Sequence, residues 1–534
     1  MVSGVPAQLN IADEFVSRLA LEHPERVAIL GEPRPFTYRE VEQAVNRAAN
    51  VLREWRCKAG DRVLIALPDS IEFIAAFFAV AKIGAIAVPV NSLARAADYT
   101  HYFSDTAARI AIVHKSVFSE LASGWAHCAW PAALELIAVA GESASETHDR
   151  ERAMAESLAA PLIVSWEEQC ERASPECHAH PTAATDPAFF LYTSGSGGTP
   201  KAAIHRHEDM LHTSRGYAHG VLGLRPDDIT YSVSKLFFAY GLGNGMYFPF
   251  SVGASTVLDP RKPKPEHTAE LLRKYRPTVL FSVPTFFAAL LREADHGLGI
   301  DCSSVRMAVS AGETLPAEIF EQFKQKFGVE ILDAIGSTEM LHMFLASRPG
   351  HARAGSCGME VPGCSAKILN DEGAEVSRGE IGNLWVRGGA AFSGYWNIDE
   401  LTARTKRDGW VLTGDKFICD ADGYFHYCGR ADDMMKVAGM WVSPGEVENA
   451  LLTHPVVAEV AVVAQANENG LIHPAAFVVL KKGIEIHAGL AQEIRNWLRK
   501  KMVSYKCPQT VQFVENLPKT ATGKIQRFLL RTRK

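Results

Sequence analysis

A chain of 534 residues, 47% of them hydrophobic and 22% charged, exceeds one ordinary core and has the composition of a globular protein of two or more domains. Its net charge of −6 argues against a nucleic-acid binder held by phosphate attraction, and the basic ending LLRTRK reads as a short solvated tail. Ten scattered cysteines form neither a C-x-x-C pair nor a zinc-spaced cluster, which suits reduced thiols in a cytoplasmic protein.

The amino terminus, MVSGVPAQLNIADEF, lacks the basic start and apolar core of a signal peptide. Thr37-x-x-Glu40 is a capping box and predicts an amphipathic helix through YREVEQAVNRAANVLREW. DRVLIAL (61–67) reads as a strand, SIEFIAAFFAVAKIG as a helix and AIAVPV (85–90) as the next strand. Lys82, Gly84 and Pro89 interrupt this apolar stretch, so it is a buried helix and strand and not a membrane span. A second such unit ends in ARIAIVH (108–114), and residues 141–157 look like a polar surface insertion.

Beyond AFFLY (188–192), a buried strand, PTVLFSVP (277–284) and SVRMAVSAGE (304–313) each read as a strand and turn. PAEIFEQFKQKF (316–327) is a helix stopped by Gly328, and VEILDAI (329–335) is a strand running into Gly336. From about 360 to 428 the strands shorten and the turns become glycine-rich. GRADD (429–433) precedes a last region with strands VAEVAVV and AAFVVL and the helix QEIRNWLRKKM, enough for a small domain. The class is α/β: a large domain (1–431) of mostly parallel sheets with a β-rich part, then a small α+β domain (432–534).

The strand AFFLY runs straight into Thr193, Ser194, Gly195, Ser196, Gly197, Gly198, Thr199, Pro200 and Lys201. Glycines admit close approach of backbone N–H groups to an anion, and the hydroxyls and Lys201 add donors and charge, which suits a polyphosphate. A Gly/Ser stretch alone reads equally well as a linker. It is not the common phosphate loop either, because no lysine follows the last glycine directly.

Four more pieces place polar groups at strand ends or turns: Gly336–Glu339, Thr413-Gly414-Asp415, Gly429-Arg430 with Asp432, and Pro518-Lys519-Thr520-Ala521-Thr522-Gly523-Lys524. In order and spacing the five pieces resemble the adenylate-forming superfamily of acyl-CoA synthetases, adenylation domains and luciferases, over nearly the whole chain. The resemblance implies ATP, Mg²⁺ and coenzyme A as cosubstrates and cofactor. A carboxylate attacks the α-phosphate to give acyl-AMP and pyrophosphate, and a thiol then displaces AMP. By the resemblance, Thr193, Ser194, Ser196 and Lys201 hold the β- and γ-phosphates within the 193–201 loop, Thr338 bonds the α-phosphate and Glu339 holds the metal. Asp415 takes the ribose hydroxyls with Arg430 beside it, and Gly312, Glu313 and Asp333 to Ile335 line the adenine. Lys524 bridges the substrate carboxylate and α-phosphate, Asp432 is the hinge of a mobile C-terminal domain, and Gly439 shapes a thiol tunnel. Lys436 reads as a second-step contact or as a solvated lysine. Three positions depart from the family pattern: Gly197 for Thr, Ala202 for Gly, and Ile335 for the aromatic before G-x-T-E.

KLFFAYGLGNG (235–245) and GSTEMLHMF (336–344) resemble the benzoate-CoA ligase branch. That likeness implies an aryl pocket of Phe238, Ala239, Tyr240, Gly336, His342 and Met343, with flat apolar walls for a flat ring. Benzoate, 2-aminobenzoate and hydroxybenzoate stay open, as do free CoA and a carrier protein as acceptor. The basic runs RKPKP (261–265) and RKK (499–501) are CoA-phosphate candidates or plain solvated faces. The partners expected are small molecules, without nucleic acid or membrane, for a monomer or a homodimer.

Overall fold

The computed structural model describes residues 4–125, 130–142, 145–147, 161–194, 199–437, 440–466, 472–519 and 525–531. Gly195, Ser196, Gly197, Gly198, Gly439, Lys524 and most of the 141–157 insertion lie outside the described residues, as do the side chains of Ser194 and Lys436.

Two large sheets form the body of the chain. In the first, β3 (Arg62–Ala66), β4 (Ile86–Pro89), β5 (Ile110–His114), β6 (Leu136–Ala140), β7 (Leu162–Ser165) and β8 (Pro187–Ser194) run parallel in the order β7-β6-β5-β3-β4-β8. β9 (Pro200–Arg206) returns antiparallel on the edge, with Lys201 opposite Thr193 and Pro200 opposite Ser194. The Gly/Ser stretch thus connects two hairpin strands, and Lys201 sits on the return strand.

The second sheet runs β16-β15-β14-β13-β12-β10-β11-β1-β2. Its parallel centre comprises β1 (Val27–Leu30), β10 (Ile229–Ser232), β11 (Ser255–Val257), β12 (Val279–Ser282), β13 (Met307–Ser310) and β14 (Ile331–Gly336). Antiparallel β2 (Phe36–Thr37), β15 (Met343–Ala346) and β16 (Met359–Glu360) close its ends. Helices on the faces let the parallel strands be apolar on both sides, which is why they read as continuous Val/Ile/Ala runs.

The two sheets share a core. The helix Tyr38–Glu54 starts at the expected capping box, with Thr37 and Glu40 each satisfying the other's backbone N–H. The helix Ile71–Lys82 starts at Ser70, and every residue from Phe73 to Lys82 is buried. Phe77 lies 5.5 Å (ring centroids) from Phe189 on β8, while Phe78 lies 6.4 Å from Phe250, whose short helix packs on β11. No helix among the described residues is long and apolar enough to cross a membrane.

An antiparallel sheet follows: β17 (Cys364–Leu369), β18 (Gly382–Gly388), β19 (Lys406–Arg407), β20 (Trp410–Cys419) and β21 (Phe425–Arg430). Thr413-Gly414-Asp415 lies inside the ten-residue strand β20 and not at a strand end, a correction to the sequence reading. Gly414 has φ +75°, a conformation favouring glycine, so a strand run through this irregularity was hidden by its turn-like residues. The last region holds the hairpin β22 (Met435–Val437) and β23 (Met440–Val442), then β24 (Val457–Ala466), β25 (Ile472–Leu480) and β26 (Thr510–Phe513) with the helix Leu490–Arg499.

His207 pins the amino-terminal segment to this body. Its Nδ1 accepts from the N–H of Ile11 at 3.2 Å, so the fully buried ring is neutral with the proton on Nε2. Burial pushes its pKa down to about 4. Unfolding restores an ordinary value of about 6.5, so the unfolded chain binds a proton that the native ring refuses. The stability tied to the neutral ring is therefore complete above about pH 6.5 and is lost as pH falls toward 4, at up to about 1.4 kcal/mol per pH unit. His207→Asn, which keeps an acceptor and removes the titration, should shrink the drop in urea midpoint between pH 7 and pH 5; an unchanged drop would assign it to other groups.

Candidate functional site

Gly312 and Glu313 follow β13, Asp333 and Ile335 lie on β14, and Thr338 and Glu339 follow it, at the ends where parallel sheets commonly bind ligands. Gly312 follows β13 with φ +86°, a left-handed turn that exposes the next residues. Glu313 then accepts from Thr285, through its backbone N–H and its hydroxyl, both at 3.2 Å. Asp333 lies beside Ser310 in register, is buried, and its Oδ1 has no hydrogen-bond partner among the described residues. Burial pushes its carboxyl well above the usual carboxylate range. Ile335 packs sideways into the cluster with Phe344 and Met340.

β14 passes into a one-turn 3₁₀ helix, Thr338–Met340, and returns as β15. This hairpin brings Gly336 and Met343 opposite one another. A Cβ on Gly336 would lie 2.5 Å from the carbonyl oxygen of His342, so the turn itself demands glycine there.

The turn is fixed from two directions. His205 on β9 spans from Asp209 Oδ2 (3.0 Å from Nδ1) to the carbonyl of Thr338 (2.8 Å from Nε2), and His205 and Asp209 are both fully buried. Asp209 also accepts from Arg206 through its backbone N–H and guanidinium, so it is an acceptor-only carboxylate. On the other side the Phe392 N–H donates to the Glu339 carbonyl at 2.8 Å, and the Tyr395 hydroxyl donates to Glu339 Oε1 at 2.6 Å. Lys201 Nζ stands 4.5 Å from the centroid of the Tyr395 ring, so the lysine of the loop and the carboxylate of the turn meet at one tyrosine. Glu339 is not part of any described cluster of three or more metal-ligating side chains. One carboxylate with an oxygen free of hydrogen bonds among the described residues suits a Mg²⁺ carried on phosphates, which needs few protein ligands.

Beside the turn lies an aromatic cluster. Phe238, Ala239 and Tyr240 are half-buried at the start of the helix Ala239–Leu242. The Tyr240 hydroxyl reaches the carbonyls of Ser282 and Val309, each at 3.1 Å, at the ends of β12 and β13. His342 is packed by Phe248, Tyr217 and Tyr240, with ring centroids at 4.4, 5.3 and 5.7 Å. Burial holds its pKa down to about 3, so the ring is neutral, and Nε2 lies 3.4 Å from the Tyr240 carbonyl. His342 Nδ1 and the Tyr217 hydroxyl are buried without partners among the described residues.

Asp415 and Arg430 face each other across β20 and β21, with Oδ1 and Nη1 3.2 Å apart. The charge of Arg430 also reaches Tyr395. Thr193 ends β8, and Thr199 is exposed where the hairpin loop meets β9. Asp432 is exposed in the turn between β21 and β22, where its carbonyl accepts from Arg531 at 2.9 Å.

Sequence reasoning missed Tyr395 and His205. For His205 a signal existed: β9 alternates, so Lys201, Ala203 and His205 share a face. Tyr395 follows Gly394 in an irregular segment without periodicity, and only its long-range partners reveal it.

Residues 16–396 match the family model of the AMP-binding enzymes, and residues 446–524 match that of the AMP-binding enzyme C-terminal domain. The chain is 39% identical to a benzoate–CoA ligase of Thauera aromatica, covering 99% of this chain and 97% of that protein. It is 36% identical to a 3-hydroxybenzoate/4-hydroxybenzoate–CoA ligase of the same organism, covering 98% and 97%. The crystal structure of an anthranilate CoA ligase in complex with anthranoyl-AMP superposes with a TM-score of 0.89 at 36% identity, covering 99% of this chain and 98% of that one. With its paired strand ends, its Gly336–Glu339 turn and these full-length similarities, the chain belongs to the AMP-binding, adenylate-forming enzymes, as an acid–CoA ligase of that family.

Proposed function

We propose that the protein is an AMP-forming aryl-CoA ligase that activates benzoate to benzoyl-AMP and transfers the acyl group to coenzyme A. One observation carries the reading: the aromatic cluster around His342 shares a hairpin with Thr338 and Glu339. A flat apolar acid in that cluster would present its carboxylate beside the phosphate-facing turn. In the first step the carboxylate oxygen bonds to the α-phosphorus of Mg·ATP as the bond to pyrophosphate breaks. In the second, the CoA sulfur bonds to the carbonyl carbon as AMP leaves.

Each step crowds negative oxygens, and oriented donors and cations offset that charge. The 193–201 hairpin and Lys201 take the terminal phosphates, Thr338 the α-phosphate, Glu339 the metal carried by the nucleotide, Asp415 the ribose, and Gly312, Glu313 and Asp333 to Ile335 the adenine. Residues 432–534 form the mobile domain, turning at Asp432 to exchange Lys524 for the segment with Lys436 and Gly439. Lys524→Ala should abolish acyl-AMP formation and spare conversion of supplied benzoyl-AMP plus CoA to thioester; equal loss of both half-reactions would refute the exchange.

Pyrophosphate release with benzoate, 2-aminobenzoate, hydroxybenzoates and butyrate, with and without CoA, tests the acid. Benzoate should exceed butyrate, and a preference for butyrate would refute the aryl assignment. Ala239→Leu should lower kcat/KM for benzoate roughly ten- to a hundredfold by overpacking the cluster, and less for butyrate. Equal losses would place Ala239 away from the ring.

A second reading, a ring bearing a hydroxyl or amine, is favoured by the unpartnered Tyr217 hydroxyl and His342 Nδ1. A ring donor facing neutral His342 would satisfy a buried acceptor, and one such bond changes affinity by about two- to tenfold. Under this reading Tyr217→Phe lowers kcat/KM for the substituted acid by about that factor and leaves benzoate unchanged. A uniform change across the acids removes the reading.

A further inference from the structure

Glu339 and Lys201 carry opposite charges and converge on one side chain. The Tyr395 hydroxyl donates to Glu339 Oε1 at 2.6 Å, and its ring lies under the Lys201 ammonium, 4.5 Å from the centroid. Among the described residues neither charged group forms an ion pair within 4.0 Å. Left unrestrained, a carboxylate and an ammonium that share one neighbour attract each other and can close into an ion pair. Such a pair would neutralise the two groups that a metal-bound triphosphate needs separately.

Tyr395 is itself held in place. Its N–H donates to Thr402 Oγ1 at 2.9 Å, and a Cβ on Gly394 would lie 2.8 Å from Thr402 Cγ2, so the preceding residue must be glycine. The flanking backbone pairs with β9 through Ser393 N–H to the Ile204 carbonyl (2.9 Å), Ile204 N–H to the Gly394 carbonyl (3.0 Å) and Trp396 N–H to the Ala202 carbonyl (2.9 Å). The tyrosine is thus tied to the strand that carries Lys201 and, through Phe392, to the backbone of Glu339.

We propose that Tyr395 is a positioning residue for nucleotide binding: its hydroxyl holds Glu339 by one oxygen, its ring face holds Lys201, and the two charges stay apart. Glu339 Oε2 is then left for the divalent cation on ATP and Lys201 for the phosphate oxygens. The inference rests on the adenylating function proposed above, and on Mg·ATP in particular, but not on which acid is activated. It concerns binding before any covalent step.

Equilibrium dialysis of ATP against a Mg²⁺ series, with wild type, Tyr395→Phe and Tyr395→Leu, tests it. Tyr395→Phe keeps the ring and loses the hydroxyl. It should raise the Mg²⁺ concentration for half-maximal ATP binding about tenfold, the loss expected for one charge-assisted hydrogen bond. Conversion of supplied acyl-AMP plus CoA should stay within about twofold of wild type, since that half-reaction uses no metal-bound triphosphate. Tyr395→Leu also loses the ring face and should bind ATP more weakly even at saturating Mg²⁺. In a Glu339→Gln background, Tyr395→Phe should add little, because its partner charge is gone.

A Mg²⁺ dependence in Tyr395→Phe equal to wild type would overturn the proposal. So would equal losses in nucleotide binding and in the acyl-AMP half-reaction, which would mark a general structural role. If wild type binds Mg·ATP yet adenylates none of the aryl acids, the aryl reading fails by itself, and the dialysis comparison still decides the role of Tyr395.

Discussion

The close approach of Gly336 to His342 governs the arrangement of the site. With no side chain at 336, the carbonyl of His342 can approach to a distance that a Cβ would violate, so β14 turns back on itself within one 3₁₀ turn. The turn then carries Thr338 and Glu339 at its tip and His342 immediately before Met343, which opens the return strand. Leu341, at φ +63°, absorbs the strain of that reversal, a conformation that persists only where surrounding structure enforces it. The Thr338–Glu339 turn and the aromatic cluster around His342 thereby share one hairpin.

Around that hairpin, three chain segments distant in sequence lock together. β9 contributes Lys201 and His205, the turn contributes Thr338 and Glu339, and residues 392–396 stitch the two by backbone bonds. The arrangement is an electrostatic compromise. His205 bridges a buried carboxylate and a backbone carbonyl, and Glu339 is restrained by a hydroxyl instead of a cation. A neutral restraint leaves the carboxylate its charge, which a divalent ion on a nucleotide would need.

The aromatic cluster follows a different logic. Its side chains are aromatic, and His342 among them is held neutral by burial. As the acid site proposed above, it would distinguish rings by size and by whether a polar substituent finds His342 or Tyr217. Relatives acting on benzoate, hydroxybenzoate and anthranilate share the fold at 36–39% identity, as expected when small changes in such a cluster alter the acid on an unchanged scaffold.

The α/β class and the family were legible in the sequence because they rest on local signals. The Thr37–Glu40 box, the buried strands before Gly336 and at 188–192, and Gly328 closing its helix are each decided within a few residues. Short motifs in a fixed order named the chemistry for the same reason. The tertiary structure alone decided what depends on distant pairing: that Lys201 lies opposite Thr193 on paired strands, that Thr413–Asp415 lies within a strand, and that a Cβ on Gly336 would meet the backbone of His342. Tyr395 shows why. It meets Glu339 across 56 residues, and contacts across such separations leave no periodicity in the chain, only a geometry in the fold.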